Sequence, residues 1–173
     1  MLDSKPRSKA YAGIGSRETP KDVQSKMTEI ASRLSLLGYV LYSGGADGAD
    51  DAFELGAGHK KIFLPWNGFN GRVEDGNEYV VPPINLDFIN RFHPRPASLS
   101  SGGISLMGRN TYQVLGPNLN SPVDFVLCWT KDGKASGGTG QAIRIATHYK
   151  IPVFNLKNGY DNFVNFMTME LLT

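Results

Sequence analysis

Cysteine occurs once in 173 residues, at Cys128, so no intrachain disulfide can staple this chain and a disulfide-built scaffold is excluded. That thiol lies inside the apolar run Phe125-Val126-Leu127-Cys128-Trp129, the setting of a buried, inert side chain. Histidine is nearly as scarce: His59, His93 and His148 stand far apart without the paired spacing of a zinc-binding helix, and no metal is expected. No run approaches the ~18 apolar residues of a membrane span, so no membrane partner is expected. The first residues, Met1-Leu2-Asp3-Ser4-Lys5-Pro6, lack the apolar core of an export leader, and a cytoplasmic location follows as the expectation. Strong charge of either sign is also missing. With 18 basic against 16 acidic residues and a formal charge of +2, composition neither demands nor excludes a nucleic-acid partner.

What the chain has in quantity is glycine, 20 residues, and its placement carries the signal. Ala12-Gly13-Ile14-Gly15-Ser16-Arg17 and Tyr42-Ser43-Gly44-Gly45-Ala46-Asp47-Gly48-Ala49-Asp50 each follow an apolar run, and Ser136-Gly137-Gly138-Thr139-Gly140-Gln141 follows a later one. A turn that ends a strand and opens a helix aims bare N–H groups and the positive end of a helix dipole at one point, which suits an anionic group. The first turn is not a dinucleotide fingerprint, because Glu18 stands where the third glycine belongs.

The segments between these turns alternate. Strands are predicted over 9–15, 39–42, 61–65, 123–129 and 151–156, each short, apolar and bounded by turn residues. After Thr19-Pro20, a favourable cap and first helical position, Val23, Met27, Ile30, Leu34 and Leu37 recur on one helix face, and Gly38 stops it. Ala49, Ala52, Phe53 and Gly56 mark a second helix with a small-residue face; further helices are predicted over 105–115, 139–149 and 161–172. The whole chain, 1–173, therefore reads as one α/β domain: a Rossmann-like, open, mostly parallel sheet with helices on both faces. Residues 66–96, rich in Gly, Pro, Asn and aromatics without periodicity, read as an irregular insertion that serves function or a contact between copies of the chain. In such sheets the ligand crevice lies beyond the carboxyl ends of the strands, where all three glycine turns fall.

Ser43-Gly44-Gly45-Ala46-Asp47-Gly48-Ala49-Asp50 with Ala52 and Leu55, preceded by Gly15-Ser16-Arg17, resembles the core of DNA-processing protein A and its Rossmann-like relatives, the SLOG superfamily. The resemblance spans roughly 9–156. It implies a fold that binds nucleotides or nucleotide-derived ligands, a homo-oligomer, and, because small free-standing members are common in bacteriophage genomes, a phage origin.

Three functional classes divide the candidate residues. An N-glycoside hydrolase similar to the LOG phosphoribohydrolases of that superfamily would use a glutamate after the third turn, but Arg144 stands there, with Arg109 as a possible upstream arginine; no catalytic residue is assigned. Single-stranded DNA binding needs basic side chains and stacking aromatics, which Arg17, Lys21, Arg72, Arg91, Arg95, Arg109 and Lys131 with Trp66 and Phe69 could supply. Against it, Asp47, Asp50, Asp51 and Glu54 would repel a phosphate backbone, and Asp47 replaces the arginine that DNA-processing proteins carry; DNA is disfavoured on this ground. The third class, a sensor or sequestering module for an ADP-ribose-type or cyclic nucleotide, uses the most residues. Gly15, Ser16 and Arg17 would hold phosphate, Gly44 and Gly45 admit the ligand to the backbone, and Asp47 or Asp50 accept from ribose hydroxyls. Gly137, Gly138, Thr139 and Gln141 would form a second cradle, Arg109 and Asn110 a polar wall, and Trp66 a stacking surface. No cofactor is implied. Arg109 is equally compatible with a solvent-facing helix position, Trp66 with a subunit contact, and the aspartates with simple favour toward a helix N-terminus.

Overall fold

The computed structural model describes residues 7–173; Met1 to Pro6, read above for a leader, lie outside the described residues. Six strands, β1 (Ala10–Gly13), β2 (Val40–Ser43), β3 (Lys60–Leu64), β4 (Glu78–Val80), β5 (Phe125–Cys128) and β6 (Val153–Asn155), form one sheet. Its order is β4-β3-β2-β1-β5-β6, and every neighbouring pair is parallel. Six helices accompany it: α1 (Lys21–Leu36), α2 (Ala49–Gly56), α3 (Leu86–Phe92), α4 (Ser101–Leu115), α5 (Thr139–His148) and α6 (Asp161–Leu172). This is the open, parallel, Rossmann-like arrangement expected from the alternation of apolar runs and helical periods.

Successive strand residues face opposite sides, so a strand covered on both faces must be apolar throughout. Tyr11, Leu41, Phe125 and Leu127 point to the layer of α1, α2 and α6, where they meet Met27, Leu34, Phe53 and Phe163. Ala10, Ala12, Tyr42, Val126 and Cys128 point to the opposite layer, against Val114, Leu115, Ala142 and Ile145 of α4 and α5. Phe53, Phe63, Phe125 and Leu127 are fully buried, each contributing about 1.5–3 kcal/mol by transfer from water. The small face of α2 has a direct reason: a Cβ on Gly56 would lie 2.2 Å from the Thr28 carbonyl, so only glycine lets α1 approach this closely.

Several local expectations change. Thr19 does not cap α1; its hydroxyl donates to the Ser16 carbonyl at 2.6 Å, closing the first glycine turn, and Pro20 holds the cap position without a side-chain bond. Helix α4 starts at Ser101, before the predicted 105, because Ser100 caps it by accepting from Gly103 N; Gly102 and Gly103 had masked the start. The insertion 66–96 contains a strand and a helix, β4 and α3. Its Phe69, Ile89 and Phe92 are buried within the chain's own core. Among the described residues, no helix is long and apolar enough to cross a membrane.

From β1 the chain winds through α1 to β2, β3 and β4 on one side, whereas β5 leads to β6 on the other. The two directions part between β1 and β5. At such a switch point the outgoing loops diverge and leave a crevice at the carboxyl edge.

Candidate functional site

A cleft of about 560 Å³ opens at this switch point. One wall is the first glycine turn with Ser16, Arg17 and Glu18; another is Ser136 to Thr139 at the mouth of α5; Thr130 and Lys131 follow β5, and α4 supplies the floor. Of the residues named from sequence, Gly15, Ser16, Arg17, Asp50, Arg109, Asn110, Gly137, Gly138 and Thr139 line this one space.

Ser16 N–H donates to the Trp129 carbonyl at 3.1 Å, and a Cβ on Gly15 would sit 2.7 Å from Ala49 Cβ, so the first turn is packed between the end of β5 and the start of α2, with the Gly15 and Arg17 N–H groups left without a partner among the described residues. The Ser16 hydroxyl accepts from Glu18 N at 3.0 Å. At the α5 mouth the N–H groups of Gly137, Gly138 and Thr139 have no backbone partner among the described residues. Asn110 Nδ2 donates to the Gly138 carbonyl at 2.8 Å and fixes that turn against α4. The unspent donors of a helix N-terminus thus face the cleft, a favourable seat for an anion.

The floor is built around a buried cation. Arg109 is 6 % exposed, which overturns the solvent-facing alternative. Its Nη1 donates to the carbonyls of Gly44 and of Phe63, the latter at 3.3 Å, and its Nε to Asn110 Oδ1 at 3.2 Å. The guanidinium also lies 5.4 Å from the Phe69 ring centroid. Burial lowers its pKa from the ordinary value, opposed by Asp50. Asp50, 3 % exposed, accepts from Ala46 N at 3.2 Å. Desolvation raises its pKa to about 6, against the pull of Arg109 and the Ala46 N–H.

Five named residues do not line the cleft. Gly44 is packed beneath α4, where a Cβ would come within 2.2 Å of Arg109 Nη1, so its role is to admit the guanidinium. Gly45 adopts φ +68° beside Arg72 and Ile62. Asp47 accepts from Asn70 Nδ2 at 3.0 Å. Trp66 stacks edge-on against Phe69 at 5.3 Å, outside the cleft. Gln141 is fully buried and donates to the Ile89 carbonyl at 3.1 Å. Arg144 reaches the carbonyls of Phe92 and Ala135 and the Gln141 side chain, clamping α5 to α3 and to the loop before it. Sequence reasoning passed over Gln113 and Thr130. Gln113 could have been found one helical turn after Arg109, and Thr130 at the end of an apolar strand.

Much of the acidic cluster is paired, although Asp47 stays exposed with the Asn70 amide as its partner. Arg72, from the insertion, pairs with Asp51 at 3.2 Å, Glu54 at 2.8 Å and Glu78 at 3.5 Å; Lys60 adds a 3.0 Å pair to Glu54. Asp47, Asp51 and Glu54 are absent from the cleft lining, whereas Arg17 and Lys131 are exposed at its mouth without an ion-pair partner among the described residues.

The parallel sheet, its switch point and the cleft there define the class: an open Rossmann-like α/β fold with a crevice at the carboxyl edge of its sheet. No family model and no curated protein matches the chain. A solved structure of DNA processing protein A from Helicobacter pylori, described with a unique single-stranded DNA binding mode, is similar to it with TM-score 0.59 and 18 % identity. The match covers 95 % of this chain and 82 % of that one. The likeness is one of fold. It also runs against the expectation that DNA is disfavoured, since a protein sharing this fold along nearly the whole chain binds single-stranded DNA. The ground for that expectation weakens in parallel, because Asp51 and Glu54 are paired with Arg72 and Lys60, Asp50 is buried, and Asp47, though exposed and bonded only to the Asn70 amide, lies outside the cleft lining.

Proposed function

We propose that this chain binds single-stranded DNA along the carboxyl edge of its sheet, seating backbone phosphate at the cleft between β1 and β5. The observation that carries this reading is the cleft mouth itself: Arg17 and Lys131 flank the unspent N–H groups of Gly137, Gly138 and Thr139 and outnumber the one exposed carboxylate of the lining, Glu18, while Asp51 and Glu54 are paired with Arg72. Phosphate gains charge-assisted bonds from the two side chains and a helix-terminal seat from α5. The shared fold with a single-stranded DNA-binding protein supports the same occupant. No aromatic ring lines the cleft, so its apolar wall is Ile14, Leu106 and Met107, which give sequence-tolerant contact to a base or sugar.

A second reading, a nucleotide-derived small molecule of the ADP-ribose or cyclic nucleotide type held without a strand, is favoured by the volume of the cleft and its polar floor. Fluorescence anisotropy with a labelled oligothymidylate, competed by free nucleotides, separates the two. Saturable, salt-sensitive binding that Arg17→Ala weakens about tenfold is the expected result. Retention of a free nucleotide with no oligonucleotide binding would transfer the cleft to the second reading.

A further inference from the structure

The floor of the cleft carries more hydrogen-bonding capacity than phosphate can use. Gln113 lines it at 2 % exposure, yet among the described residues its side-chain amide makes no hydrogen bond. Asp50 takes the Ala46 N–H on Oδ2, leaving Oδ1 without a donor. Arg109 commits Nε and Nη1 and keeps Nη2 free of an acceptor. Asp50 and Arg109 act on each other's charge, but no ion pair closes between them. None of these atoms is among the sealed, unpartnered ones, so the three side chains present their spare capacity to the open cleft, where a polar ligand can take it up in place of water. Arg109 and Gln113 are one turn apart on α4 and present that capacity on one face.

We propose that this floor is a guanine-selective base subsite within the same cleft, an inference that rests on the single-stranded DNA reading above. Guanine places the O6 acceptor beside two donors, N1–H and the N2 amino group, on a single edge. A carboxylate accepts both donors, and Arg109 Nη2 or the Gln113 amide donates to O6. The other bases fit this set less well. Adenine turns the N1 lone pair toward the carboxylate, cytosine does the same with N3 and O2, and thymine offers one donor between two acceptors. Because no ring lines the walls, discrimination comes from the base edge and not from stacking. The cleft volume of about 560 Å³ suits one nucleotide at a time.

The test uses the full chain with oligothymidylates of about 15 nucleotides, all-thymine or carrying one central guanine or inosine, alongside the free mononucleotides dGMP and dAMP. The guanine strand binds about tenfold tighter than all-thymine, the scale of a two-bond base contact, and inosine, which lacks the N2 amino group, loses most of that gain. Gln113→Met keeps the shape and removes the amide; it lowers affinity for the guanine strand more than for all-thymine, and the ratio between the two strands is the readout. Asp50→Asn abolishes the preference if it folds, and the inosine comparison needs no variant. Equal affinity for all strands, with salt-sensitive binding intact, overturns the base subsite and leaves the DNA reading standing. Selective dGMP binding without any oligonucleotide binding keeps the subsite and removes the DNA reading, and loss of both overturns both.

Discussion

Asp50 shows how a single residue can be costly to the fold and available to a ligand. Its carboxyl is raised from 3.8 to about 6, mainly by desolvation, with Glu54 and Asp51 pushing it further and Arg109 pulling against them. Between these values the folded protein holds a proton that the unfolded chain has released. Stability therefore falls as pH rises from about 4 through 6, and the full penalty, roughly 3 kcal/mol, is present above that window. Asp50→Asn cannot titrate. Urea denaturation across pH 4–7 should show a downward slope for the parent protein that is flattened in the variant, whatever the absolute stability of each. Parallel profiles would mean that Asp50 is ionised throughout, held so by Arg109.

At the level of elements, the insertion between β3 and α4 is sewn to α2 by charge. Arg72 spans Asp51, Glu54 and Glu78, while Asn70 holds Gly45 O and Asp47. Glu54 is only 10 % exposed at its side chain, and without Arg72 it would rely on Lys60 alone. Arg72→Ala should therefore cost about 1–3 kcal/mol in urea denaturation, because it leaves a largely buried carboxylate short of a partner. Arg33→Ala, which removes an exposed pair with Glu29, should give no measurable change. An Arg72 variant as stable as the Arg33 variant would show the hub to be ornamental. This hub is also where the sequence was least legible. The central strands announced themselves as apolar runs and the glycine turns as their ends, since a parallel strand covered on both faces admits few polar residues. Strand β4, Glu78-Tyr79-Val80 at the sheet edge, and the seven-residue α3 are too short for any period to register. Asp51 and its partner Arg72 are 21 residues apart across that unpatterned stretch, so Asp51 read as part of a repelling cluster although the fold pairs it. The cleft walls were visible as turns; the floor was not, because the depth of Arg109 and Gln113 depends on how α4 crosses β2 and β3.

For the molecule as a whole, the small formal charge of +2 gives little long-range steering, so affinity for a strand must come from local contacts at the cleft mouth. Arg17 and Lys131 are two such contacts, and each phosphate neutralised on a single strand contributes about −0.7 to the slope of log affinity against log salt. Two contacts give a slope of about −1.4, far shallower than that of a protein that wraps DNA in a broad basic groove. Removing both, as Arg17→Ala with Lys131→Ala, should flatten the slope toward zero and weaken all strands equally, guanine-containing or not. Gln113→Met should leave the slope unaltered, since it removes no charge, while lowering the preference for guanine. Anisotropy titrations at several salt concentrations measure both quantities in one series. A steep slope that survives the double substitution would place the strand on other basic residues, such as Arg91, Arg95 or Lys134, and move the DNA path away from the switch point.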